Sequence, residues 1–321
     1  MHKTAKNDFS PAGIWPVLYA YFDEHNRLDR DAMRVQVERT IAAGAPGIVI
    51  LGLATEVQRL SRAEREQVVN WASEDIGSRV PLAVTVTGDT VREQTEFGNW
   101  AVARGAQWLI LQPPSTRTEP ERFYFDFFAA VMNGLTDTAG AGIQNAPEYL
   151  GVGLSPEALA ELAQQCPNFR WLKGEGAATV LRTTIDCLAA AGSTMPVFNG
   201  RGGQELLDNL RAGCAGMIVA PDSFDHQVEI YRAFAHDPAA AQLNYEEVLP
   251  AIVFVMQSLD ALTCYGKRIA AWRMGFEVRH DRGMAPTAFG LECARRFADS
   301  LGPYGVNRGL KPRVKTASKN R

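Results

Sequence analysis

Short apolar runs alternate with amphipathic stretches from Gly13 to about Phe234. The runs cover 13–22, 47–51, 81–87, 108–112, 140–145, 169–173, 196–199 and 217–220. Each is short and mostly apolar, the pattern of parallel strands covered on both faces. Helical patterns fill the gaps at 30–43, 61–73, 91–104, 119–132, 156–165, 177–191, 204–212 and 224–234. Local chemistry supports several starts. Asp29 reads as an N-cap, Ser61 with Glu64 has capping-box spacing, and Ser155 stands just before the 156–165 helix.

Eight strand–helix units in series predict an α/β protein of the (β/α)8 TIM-barrel class. The rival is an open doubly wound sheet. No GxGxxG or GxxxxGK[ST] follows the first run, which weakens that rival without excluding it. Beyond residue 237 the pattern is helical, with helices expected at 245–263, 265–274 and 288–301. The expected organisation is a barrel over 1–237 and a C-terminal three-helix extension over 238–305, packed on the barrel with no glycine-rich linker. A basic tail over 306–321 carries Lys311, Arg313, Lys315, Lys319 and Arg321 and is expected to be a solvated, frayed terminus.

Composition narrows the function classes. Hydrophobic residues make up 46% and charged residues 21%, enough for a sizeable core. The net charge of -3 argues against a nucleic-acid partner. The five cysteines are scattered, without CxxC spacing, and read as reduced thiols of a cytoplasmic protein. The opening ten residues are polar, so no secretory leader is expected, and no run approaches the ~20 apolar residues of a membrane span. The histidines form no HxH or HExxH cluster, so no metal site is expected.

One lysine stands out. Between Lys6 and Lys267 the only lysine is Lys173, at the end of the sixth run, and arginine supplies the positive charge elsewhere. Active sites of barrels lie at the C-terminal ends of strands. An amine at an apolar strand end loses the water that stabilises its charged form, and a neutral amine attacks ketones. The structural alternative is a Lys173–Glu175 ion pair. The other strand ends supply Thr55 and Glu56, Thr87 and Asp89, Gln112 and Ser115, Gln144 and Asn145, Glu175, Asn199 and Arg201, and Asp222. Facing one mouth, such a ring suits a small polyhydroxy acid; singly, each residue suits a turn or cap.

Several segments together resemble the dihydrodipicolinate synthase / N-acetylneuraminate lyase family, from about Gly13 to Leu301. Gly52-Leu53-Ala54-Thr55-Glu56 is similar to that family's G-T-T-G-E, Gln144-Asn145-Ala146-Pro147 to Y-N-x-P, and Leu172-Lys173-Gly174-Glu175 to I-K-[ED]. Asn199-Gly200 and the stretch from Gly213 to Ile218 resemble [SND]-G and G-[AC]-x-G-x-I. The departures matter. Gln144 replaces the strand-five tyrosine, Leu53 and Ala54 replace the paired threonines, and Pro113-Pro114-Ser115 replaces P-Y-Y. A tyrosine–threonine–tyrosine relay cannot operate here, which argues against dihydrodipicolinate synthase itself. Gln-Asn-Ala-Pro is closer to the branch containing 2-keto-3-deoxy-L-arabonate dehydratase.

The resemblance implies a class I lyase that holds a 2-keto acid as a Schiff base on Lys173, with no separate cofactor. It implies a substrate carboxylate held near Ala54 and Thr55. Gln144 and Asn145 would orient the substrate, and Ser115, Glu175, Asn199 and Ile218 would border it. Thr55, Ser115, Glu175 or a bound water would carry protons. Dehydration and aldol cleavage both remain open, as does a barrel that binds a keto acid without turning it over. A homo-oligomer, dimer or tetramer, is implied by the family alone.

Overall fold

The computed structural model describes residues 10–136 and 139–305. The basic tail and residues 1–9 lie outside the described residues. Eight parallel strands follow in chain order: β1 (Gly13–Pro16), β2 (Ile48–Ile50), β3 (Leu82–Val86), β4 (Ala106–Leu111), β5 (Gly140–Asn145), β6 (Phe169–Gly174), β7 (Val197–Asn199) and β8 (Gly216–Val219). They pair in the order β1-β8-β7-β6-β5-β4-β3-β2, and a parallel bridge from Val17 to Val49 brings the two edges together. The intervening helices are α1 (Arg30–Ala42), α2 (Arg62–Ile76), α3 (Val91–Val102), α4 (Glu121–Gly134), α5 (Pro147–Leu150), α6 (Pro156–Gln165), α7 (Ala178–Ala190), α8 (Leu206–Ala212) and α9 (Phe224–Phe234).

The predicted caps form. Asp29 accepts from the Ala32 N–H, Ser61 and Glu64 exchange both bonds of a capping box, and Ser155 accepts from the Ala158 N–H. The first apolar run is only partly a strand. From Leu18 to Phe22 the chain stays buried but leaves the parallel ladder. There the Gln36 amide takes over, accepting from the Tyr19 N–H at 2.8 Å and donating to its carbonyl at 3.0 Å.

An aromatic layer fills the barrel. Trp15, Trp108, Trp171 and Phe198 sit with ring centroids 5.4 to 6.3 Å apart. Gly142 makes room, since a Cβ there would lie 2.3 Å from the Trp171 ring. Trp171 therefore points inward, and the two-residue period of a strand turns Lys173 the same way, one layer nearer the C-terminal rim.

The extension differs from its sequence pattern. Its first helix, α10 (Pro238–Val255), starts earlier, with Asp237 capping the Ala240 N–H. It also stops earlier. Ser258 starts a new segment by accepting from the Ala261 N–H, so α11 (Leu259–Ala261) and one π turn (Leu262–Gly266) precede α12 (Lys267–Met274) and α13 (Ala288–Leu301). The apolar positions on both sides of Ser258 hide that serine cap from a periodicity reading. Among the described residues no single helix is long and apolar enough to cross a membrane.

Candidate active site

Register assembles the site. Gln144 on β5 lies opposite Lys173 on β6, and Lys173 lies opposite Phe198 on β7. Lys173 is 5% exposed, and its Nζ stands 3.2 Å from Oε1 of Glu175. The other carboxylate oxygen accepts from Gln144 Nε2 at 2.5 Å, and Gln144 Oε1 accepts from Gln112 Nε2 at 2.8 Å. Gln112, Gln144, Glu175 and Lys173 thus form one buried chain across three strand ends. The ion pair weighed as the structural alternative is present, and it stands inside the barrel mouth rather than on an outer surface. Buried polar groups that are fully partnered hold a defined geometry.

Lys173 and Glu175 line a cleft of about 400 Å³, counted to its open mouth, and Ala54 and Ile218 line it too. Tyr149 and Arg201 contribute its remaining polar side chains. Leu53, Met256, Leu259 and Leu262 form an apolar wall, so the extension closes one side of the cleft as well as packing on the barrel.

Four residues that the sequence places in the ring hold loops instead. Thr55 donates its hydroxyl to the Leu18 carbonyl at 2.6 Å and its N–H to Gly52. Ser115 is exposed, and its N–H is held by Asp89. Asn145 clamps Leu154 through both ends of its amide. Asn199 donates to the Gly176 carbonyl and to Asn209 while accepting from the Gly200 N–H. Short polar side chains beside strand ends meet loop backbone first, and a buried loop must satisfy its N–H and C=O groups. None of the four lines the cleft.

Two further ring members are also spoken for. Glu56 pairs with Lys267 and Arg59. Asp222 is fully buried, accepts from the Tyr19 hydroxyl at 2.8 Å and from Ser223, and burial pushes its carboxyl up to about 6. Tyr149 went unread, because no strand pattern reaches it. It lies two residues past Pro147, on the single turn α5. Burial raises the Tyr149 phenol above its ordinary range, the Glu175 charge adds to this and Arg201 opposes it. Tyr149 therefore stays protonated at neutral pH and can donate a hydrogen bond.

Fold and cleft together define a (β/α)8-barrel enzyme with a lysine-centred site. The profile of the Dihydrodipicolinate synthetase family matches residues 10–261. The chain belongs to that family, a family of lyases. It is 28% identical over 247 residues to the probable 2-dehydro-3-deoxy-D-pentonate aldolase YjhH of Escherichia coli, covering 75% of this chain and 81% of that one. It is 29% identical over 248 residues to the L-2-keto-3-deoxyarabonate dehydratase of Azospirillum brasilense, covering 75% and 78%. Among solved structures, YagE of E. coli in complex with pyruvate superposes with a TM-score of 0.81 at 20% identity, covering 90% and 98%. That likeness shows the fold.

Proposed function

We propose that this protein is a Schiff-base lyase acting on a 2-keto acid of the 2-keto-3-deoxy sugar acid type, by dehydration or aldol cleavage. One observation carries the reading: a buried lysine amine in the barrel mouth touches a carboxylate and opens on a cleft. The two named relatives, an aldolase and a dehydratase of 2-keto-3-deoxy acids, support it.

Glu175 takes a proton from the Lys173 ammonium, and the free amine attacks C2 of the keto acid. The carbinolamine loses water and leaves a protonated imine. That imine draws electrons from C3. In dehydration a base removes the C3 proton, and the resulting enamine expels the C4 hydroxyl, which takes up that proton and leaves as water. In cleavage the C4 hydroxyl loses its proton, the C3–C4 bond breaks and an aldehyde departs. The pyruvate enamine left behind gains a proton at C3. Water then hydrolyses the imine in either case and frees Lys173. No further cofactor enters this scheme.

Glu175 is the proton carrier on this reading. Thr55 and Ser115 hold backbone groups, whereas Glu175 touches the amine itself. Ala54 and Ile218 border the keto acid. Gln144 and Gln112 orient the carboxylate. The chain also reads as a cytoplasmic homo-oligomer, dimer or tetramer. Its scattered free cysteines and the exposed Phe289 of α13 support that reading, and light scattering tests it.

The test is borohydride reduction with pyruvate, followed by peptide mass spectrometry. An adduct on Lys173 is expected, and its absence overturns the proposal. Product analysis with 2-keto-3-deoxy acids then separates dehydration from cleavage.

A further inference from the structure

The cleft differs from the polyhydroxy-acid site that the strand-end residues suggest. Apart from Lys173 and Glu175, its polar side chains are Tyr149 and Arg201, and its wall is apolar. A chain bearing many hydroxyls would find few partners there. The charges are uneven too. Lys173 and Glu175 neutralise each other, which leaves the Arg201 guanidinium as the remaining charged side chain lining the cleft.

Arg201 is held in place by backbone geometry. Its φ is 52°, in the left-handed region that non-glycine residues avoid. The glycines beside it allow this. A Cβ on Gly200 would lie 2.0 Å from Glu175 Oε1, and one on Gly202 would lie 2.5 Å from Met256 Cγ. The loop is thus pressed against the catalytic carboxylate on one side and the apolar wall on the other. Gln227 fixes it by donating to the Gly202 carbonyl at 2.9 Å.

The guanidinium is under-used in this position. Its Nε is buried without a hydrogen-bond partner among the described residues. Its ion pairs, with Glu148 at 3.5 Å and Glu205 at 3.9 Å, both run through Nη1 to carboxylates outside the cleft lining. An anionic group in the cleft would meet the guanidinium through a charge-assisted hydrogen bond, stronger than a neutral one.

We infer that Arg201, with the Tyr149 hydroxyl beside it, binds an anionic group at the far end of the substrate, so that among 2-keto-3-deoxy acids the preferred one carries a second, terminal carboxylate. This rests on the proposed Schiff-base chemistry. Arg201 is three residues past Phe198, the neighbour of Lys173. Its backbone therefore lies at most about 10 Å further towards the mouth. A five- or six-carbon keto acid fixed at C2 brings its tail within reach of the long arginine side chain.

The experiment measures borohydride trapping on the full chain as a function of ligand concentration. The probes are 2-oxoglutarate and 2-oxoadipate, each against its uncharged-tail counterpart, 2-oxopentanoate or 2-oxohexanoate. Pyruvate, which has no tail, normalises every variant for general damage. In the unaltered protein at least one dicarboxylate should half-saturate at a concentration roughly tenfold or more below its counterpart. In Arg201→Gln that ratio should fall towards one, and in Arg201→Lys it should be intermediate. Equal half-saturation for both pairs in the unaltered protein overturns the inference. So does a ratio that survives in Arg201→Gln, or a loss that falls equally on pyruvate, which would put Arg201 at the C1 carboxylate. If no probe including pyruvate forms an adduct, the Schiff-base reading fails first and takes this one with it.

Discussion

Among the described residues both lysines are buried, each paired with a glutamate, and the contrast between them defines the site. Lys173 is 5% exposed and Lys267 is 1% exposed. Lys267 reaches from α12 to Glu56, just past β2, and ties the extension to the barrel. Its partner is shared with Arg59, and the Phe22 ring covers the amine at 5.4 Å. Lys173 has a partner as well, but its pair faces a cleft. Burial depresses the Lys267 amine below its ordinary range, and the charge of Glu56 opposes that effect. By burial alone Lys267 would look the better nucleophile. Access to a carbonyl separates the two, so perturbation marks candidates and geometry chooses among them.

Exchanging the two pairs' fates should break or sharpen this contrast. The largest effect belongs to Lys173→Ala, which should abolish both turnover and the borohydride adduct while a cooperative melting transition remains. Residual adduct on Lys267 would collapse the distinction. Next comes Glu175→Gln. An amide cannot accept the amine's proton, so kcat should fall about 10²–10⁴-fold. The adduct should still form on long incubation, since Lys173 is intact. A rate within a few-fold of the unaltered protein would remove Glu175 from the proton path.

Lys267→Met should show the opposite pattern. It leaves Glu56 buried beside Arg59 alone, a loss on the order of 3–5 kcal/mol in unfolding free energy. Lys173 should still be trapped in the fraction that remains folded. Adding Glu56→Leu should recover much of the stability, because an apolar pair needs no desolvated charge. No drop in denaturant midpoint for Lys267→Met would mean that this pair anchors nothing.

The smallest effect concerns a third buried carboxylate, one with no cationic side chain bonded to it. Asp222 has hydroxyl partners, and Arg273 donates to its backbone carbonyl instead. Its carboxyl stands at about 6 in the fold against 3.8 as reference. The native state therefore holds this proton more tightly. The resulting stabilisation is complete below about pH 4 and is lost as pH rises through 6, about 3 kcal/mol in all. Asp222→Asn should melt higher than the unaltered protein at pH 8, with the gap closing by pH 4. A gap independent of pH would show that Asp222 titrates normally.

Much of this was legible along the chain. Eight apolar runs at regular spacing predicted the barrel, because parallel strands buried on both faces must be apolar throughout. Asp29, Ser61 and Ser155 marked helix starts, because capping bonds are local. Lys173 stood out because a charged side chain ending an apolar strand needs a reason. Its distance from Glu175 also follows from local order, two residues apart around one strand end.

Only the tertiary structure could sort the polar ring. Thr55, Ser115, Asn145 and Asn199 share polar character and strand-end position with Glu175 and Gln144, yet each meets loop backbone first. Which partner a short polar side chain finds depends on chain brought close from elsewhere, and periodicity carries no record of it. The same holds for Tyr149, set in the cleft by a single turn, and for Met256, Leu259 and Leu262, brought over the mouth from the far end of the chain. The sequence by itself determined the barrel and its amine, since both rest on local pattern. The shape and charge of the space above that amine were decided only when distant segments closed around it.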